Sequence, residues 1–142
     1  MTFGFNHHQF YHEVTFDFSM VSPDGYGKCI AKLSPALVDF CKLLARELVV
    51  NGLTFASVES PLKYTLVVTS AARTPQENEA VGGSKRSSHL RGHALDVRVL
   101  DGQMRRLLLV SLADCGCKRV GIGKGFIHFD VDASLPASWW TY

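Results

Sequence analysis

No run of apolar residues in this chain approaches the ~18 needed to cross a bilayer; stretches such as Leu107–Val110 are far too short. Nor does charge of one sign dominate. Lys+Arg number 15 against Asp+Glu 13, for a formal net charge of +2. A dedicated nucleic-acid binder carries a clustered basic excess, so no nucleic-acid partner is expected. Repeats and low-complexity segments are absent. Cysteine is scarce, and Cys115 and Cys117 are separated by one residue rather than the two of a zinc knuckle or redox motif. With Cys29 and Cys41 they read as reduced, packed thiols. Met1–Gln9 holds no basic region leading into an apolar one, and no small-residue cleavage site follows. The expectation is a product made in the cytoplasm without a signal peptide.

What is present suits one domain spanning 1–142. The chain has 142 residues, 46% hydrophobic and 20% charged, enough to bury a core of its own. A monomer is expected. Six histidines stand out by their grouping: His7, His8 and His12 near the start, then His89, His93 and His128.

Residues 1–33 read as an irregular, aromatic-rich arm with a turn at Pro23-Asp24-Gly25, though Val14–Phe18 alternates like a short strand. Ser34 caps a helix that Pro35 opens, carrying Leu37, Cys41, Leu44 and Leu48 on one face; Asn51-Gly52 is its expected end. Tyr64–Ser70 is β-rich, a short helix starts at Thr74-Pro75, and Gly82–Ser88 is a polar loop. Ala94–Val99 alternates, Gln103–Cys115 is a second long helix, and Lys118–Ile122 and Phe126–Val131 are strands joined by Gly123-Lys124-Gly125. Strands and helices mix without a βαβ repeat, which points to the α+β class.

The alternation sorts chemistry to one side. Asp96 lies opposite Leu95 and Val97; His128 and Asp130 lie opposite Ile127 and Phe129. In one sheet, these groups share a face with His89 close by. Two imidazoles and a carboxylate suit zinc with a fourth position open to water, and such a metal acidifies water and polarises a carbonyl.

The run Ser87-Ser88-His89-Leu90-Arg91-Gly92-His93-Ala94-Leu95-Asp96 fits S-x-H-x-x-G-x-A-x-D at every fixed position. It resembles the zinc-binding signature of the VanY-type and D-alanyl-D-alanine carboxypeptidase family, peptidoglycan peptidases related in fold to the Hedgehog signalling domain. Thr69–Asn78 resembles that family's T-S-G-Y-R-x-P-x-x-N segment, Val81-Gly82-Gly83 the following turn, and Gly121–Gly123 with Phe126–Asp130 the G-V-G … F-V-H-x-D ending of one branch. The likeness runs from about Ser34 to Asp132, leaving 133–142 as an aromatic tail.

The resemblance implies a small, mainly antiparallel sheet flanked by helices and a Zn2+ held by His89, Asp96 and His128. It implies a metallopeptidase acting on peptidoglycan peptides, as carboxypeptidase or endopeptidase, of the endolysin kind found in phage lysis or in virions. Arg73 is then expected at the substrate carboxylate or the oxyanion. Ser87 and Gly92 are expected to order the ligand loop. Family members place an acidic residue three positions, or a histidine two positions, before the last ligand; here those are Gly125 and Phe126. Asp130 becomes the candidate base, or else orients His128. His93 is either a substrate contact or structural. His7, His8 and His12 read as packing or exposed residues rather than a second metal site. The tail Trp139-Trp140-Thr141-Tyr142 either packs on the core or flanks a groove. A zinc-holding binding module and a virion structural protein are the competing readings.

Overall fold

The computed structural model describes residues 1–7, 9–21, 32–56 and 60–142. Its strands are β1 (Thr2–His7), β2 (Phe10–Asp17), β3 (Lys63–Ser70), β4 (Ala94–Arg98), β5 (Arg119–Ile122), β6 (Phe126–Asp130) and β7 (Ser138–Thr141). The helices are α1 (Pro35–Ala56), α2 (Pro75–Ala80) and α3 (Gly102–Asp114), with a 3-10 turn at Ser88–Arg91. One seven-stranded sheet runs β1-β2-β3-β4-β6-β5-β7. It is mostly antiparallel, with parallel joints between β2 and β3 and between β5 and β7. The α+β class is as expected.

Period-two alternation gives the sheet two unlike faces. Leu66, Val68, Leu95, Val97, Ile127 and Phe129 join Leu37, Leu44 and Leu48 of α1 and Leu108 and Leu112 of α3 in one buried cluster. Each of these side chains contributes about 1.5–3 kcal/mol by leaving water. The opposite face of β4 and β6 carries Asp96, His128 and Asp130.

Two expectations are corrected, and the tail, left open by the sequence, is given a place. Residues 1–33 are not an irregular arm where described: β1 and β2 form a hairpin whose Val14 and Phe16, with Phe18 just beyond, are fully buried in the core. The turn expected at Pro23-Asp24-Gly25, together with His8 and Cys29, lies outside the described residues. Asn51-Gly52 does not end α1, which runs on to Ala56. Gly52 is needed there for close approach, since a Cβ would stand 2.1 Å from the Tyr64 hydroxyl. Finally, the tail supplies an edge strand, β7, paired with β5.

His12 is fully buried and has both ring nitrogens occupied. Nε2 donates to the His7 carbonyl at 2.9 Å and Nδ1 accepts from the Leu62 amide at 2.9 Å, so the ring ties β2 to both segments. Cys41 and Cys117 are buried and, with Cys115, are free thiols; burial pushes Cys117 up to about 11. Among the described residues no helix is long and apolar enough to cross a membrane.

If the N-terminal hairpin belongs to the core, Phe16→Ala costs about 3–5 kcal/mol of stability. Chemical denaturation checks this; a loss below 1 kcal/mol would mean the hairpin is a detachable arm.

Candidate metal centre

The signature loop is held from several sides. The Ser87 hydroxyl accepts from the His89 amide at 3.3 Å, capping the 3-10 turn. Gly92 closes the turn at φ 68, a left-handed conformation, and a Cβ there would meet the Lys32 carbonyl oxygen at 2.1 Å. Its carbonyl accepts from the Ser34 amide at 2.9 Å, at the start of α1. Ser87 and Gly92 thus order the loop as expected.

Each prospective ligand is oriented by a different element. The His89 Nδ1–H donates to the Ala71 carbonyl at 2.7 Å, which leaves Nε2 aimed at Asp96 Oδ1, 3.2 Å away. Asp96 on β4 stands directly opposite His128 on β6, so both side chains emerge on the same face. His128 Nδ1 lies 2.8 Å from Asp96 Oδ1, while its Nε2–H donates to Asp130 Oδ2 at 2.8 Å. His89 Nε2, Asp96 Oδ1 and His128 Nδ1 therefore face one point, and the three residues offer ligand atoms all within 4.8 Å of one another. Among the described residues no other such group of three occurs. Burial works against the ionised Asp96 carboxyl, yet hydrogen bonds from His128 and His89 hold it well below the usual carboxylate range. Burial likewise disfavours the charged His128 ring, but hydrogen bonds to Asp130 and Asp96 raise it above its ordinary value. Two imidazole nitrogens and one carboxylate oxygen, each with its orientation set by a neighbour, fit zinc with a position left open.

The expected role of Asp130 as base does not fit this geometry. Its side chain is 0% exposed. Oδ1 accepts from Arg119 Nε at 2.9 Å and from the Asp132 amide at 3.1 Å, and Oδ2 is taken by His128. The imidazole ring stands between this carboxylate and the ligand nitrogen. Asp130 instead orients His128, the alternative the sequence left open. Of the two readings of His93 the structural one fits: its Nδ1 is hydrogen-bonded to Ser34 Oγ at 2.8 Å, and it does not line the cleft. Ser34 Oγ in turn accepts from the Leu37 amide at 3.2 Å, so His93 ties the loop to the cap of α1.

A cleft of about 600 Å³ opens over the three prospective ligands. Arg73 lies in it, with Nη2 3.6 Å from Asp96 Oδ2. Its Nε donates to Ser70 Oγ at 2.9 Å and its Nη1 to the buried Asn78 at 3.3 Å, so the guanidinium is braced beside the centre. The register shift between Val68 and Ser70 on β3 sets Ser70 opposite Asp96.

Sequence reasoning missed Arg119 as the partner of Asp130 and left the tail's place open. Arg119 lies directly across from Asp130 on β5 and stacks on Trp140 at 5.2 Å. Trp140 packs on His128 at 5.5 Å, and Tyr142 on Phe126 at 5.0 Å, so the tail walls the cleft as well as packing. Pairing across the Gly123-Lys124-Gly125 turn was the available signal for Arg119; nothing local signals Trp140.

Compared with known families, residues 39–130 match the family model described as Peptidase M15. The chain belongs to the peptidase M15 family. Searches of curated proteins and of solved structures gave no match. As M15 peptidases are zinc-dependent, the His89–Asp96–His128 group of this M15 chain is where zinc would be held.

Asp130→Asn keeps the shape but removes the charge behind His128, so zinc affinity falls about 10–100-fold. Competition with a zinc chelator measures this. Unchanged affinity in a folded variant would contradict the orienting role.

Proposed function

We propose that this M15 chain is a zinc-dependent peptidase hydrolysing peptide bonds of bacterial peptidoglycan stems or cross-links, as an endolysin does. The reading includes one monomeric domain on the fold shared by D-alanyl-D-alanine carboxypeptidases and the Hedgehog domain. It acts on the cell wall after release, or from a virion, and does not bind nucleic acid. The observation that carries it is the meeting of His89, Asp96 and His128 at a cleft that also holds the Arg73 guanidinium.

Zinc in this site supplies Lewis acidity, acidifying water and polarising a carbonyl. The chain's own part is positional. Asp130 and Ala71 fix the ring nitrogens of His128 and His89. Arg73, braced by Ser70 and Asn78, offers N–H groups to a substrate carboxylate or to the oxyanion. Trp140 covers one side of His128 and limits water there. Burial raises the Tyr142 phenol, so at neutral pH it is a proton donor in the cleft rather than a base.

One observation favours a second reading, a zinc-holding binding module. Among the described residues lining the cleft, the only carboxylate and imidazoles are Asp96, His89 and His128 themselves. Purified peptidoglycan separates the two. The peptidase reading expects new amines and defined peptide fragments by mass spectrometry, abolished by chelator and by His89→Ala. Stoichiometric zinc without any new amine supports the module. A wild type that retains no zinc contradicts both and leaves a virion structural protein.

A further inference from the structure

Three arginines line the cleft: Arg73, Arg86 and Arg119. Two are committed to the protein. Arg73 is shared among Ser70, Asn78 and Asp96. Arg119 binds Asp130 through Nε and donates from Nη1 to the Pro136 carbonyl at 2.6 Å. The Arg86 guanidinium has neither a hydrogen bond nor an ion pair among the described residues; only its backbone is engaged. A guanidinium at the mouth of the cleft with no protein partner among the described residues is a docking point for an anion.

The loop that presents it is fixed. The side chain of the buried Asn78 donates to the Ser84 carbonyl at 2.9 Å, and the Gly83 amide donates to the Asn78 carbonyl at 2.8 Å. A side chain at Gly83 would fall 2.1 Å from Asn78 Oδ1, so loop and helix α2 are in close contact. The Ser87 amide closes on the Ser84 carbonyl at 3.0 Å, and the Arg86 amide donates to Ser84 Oγ at 3.2 Å. Asn78 thereby braces both Arg73 and the Arg86 loop, setting the two arginines in one frame. Lys85, the neighbour with the same charge, does not line the cleft.

We propose that Arg86 is a specificity-determining residue that binds a substrate carboxylate lying outside the scissile bond, so that the preferred substrate is an acidic peptide. The inference rests on the peptidase reading above. The site's chemistry matches a carboxylate because a guanidinium engages one through two parallel N–H donors. The aromatic wall of Phe126, Trp140 and Tyr142 receives the less polar part of the same peptide.

The test uses zinc-loaded full-length protein and two synthetic stem pentapeptides, L-Ala-γ-D-Glu-L-Lys-D-Ala-D-Ala and the same peptide with its glutamate α-carboxylate amidated. Wild type is expected to cleave the acid form with the lower KM. Arg86→Gln is expected to raise KM for the acid form about tenfold with kcat nearly unchanged, and to leave the amide form unaffected. Lys85→Gln, which removes the same charge one residue away, is expected to change neither. Equal effects of Arg86→Gln on both peptides, or equal effects of the two variants, overturn the proposal while leaving the peptidase reading intact. Cleavage of neither peptide by wild type overturns this inference, while release of new amines from purified peptidoglycan decides the peptidase reading separately.

Discussion

A carboxylate without access to water is tolerable inside a sheet only where its charge is matched, because an unpaired buried ion costs several kcal/mol. Asp130 is such a group, and its neighbours are arranged around it. Arg119 faces it from the adjacent strand and His128 reaches it from the same strand. The consequences run outward. Holding Nε2 of His128 turns Nδ1 towards Asp96, which turns Asp96 towards His89. The guanidinium that matches the charge also carries Trp140, which covers the His128 ring. Remove the buried carboxylate and the ligand nitrogen is no longer specified.

The sheet makes this arrangement affordable by separating its two faces. On β4 and β6 the aliphatic residues go to α1 and α3, and the polar residues go to the cleft. Direct opposition of Asp96 and His128 follows from antiparallel register, so backbone pairing puts two prospective ligands on one face and Asp130 then sets which ring nitrogen of His128 meets Asp96. The third, His89, comes from a short turn that works only because Gly92 adopts a positive φ against the Lys32 carbonyl. Two glycines on and beside β5 serve the aromatic wall in a similar way. A Cβ at Gly121 would strike the Trp140 ring at 2.7 Å, and one at Gly123 the Phe126 ring at 2.2 Å.

The three prospective ligands were legible in the sequence because strand alternation has a strict period, and because the signature fixes His89 and Asp96 at set positions. The role of Asp130 was not. Two residues along a strand from His128, it can equally serve as base or as support; the choice depends on which ring nitrogen it meets and on Arg119, a residue 11 positions away in sequence. The N-terminal hairpin was concealed because only Val14–Phe18 alternates clearly, while Gly4 and the histidines interrupt the pattern before it. Asn51-Gly52 has the composition of a helix end, but Tyr64 fills the space that a side chain at 52 would need. Strand β7 pairs in parallel with a distant segment, which no local pattern can report. The family resemblance and the match to Peptidase M15 cover the same central segment, and the walls of the cleft come partly from outside it.

The central claim is that a ring nitrogen of His128 is reserved for metal by the carboxylate behind it. A crystal structure of the zinc-loaded protein, with anomalous scattering recorded at the zinc edge, tests it directly. The account predicts one peak about 2.0–2.2 Å from His89 Nε2, an Asp96 oxygen and His128 Nδ1, with Asp130 still on Nε2. A peak bound through His128 Nε2, or with Asp130 as a ligand, would contradict it.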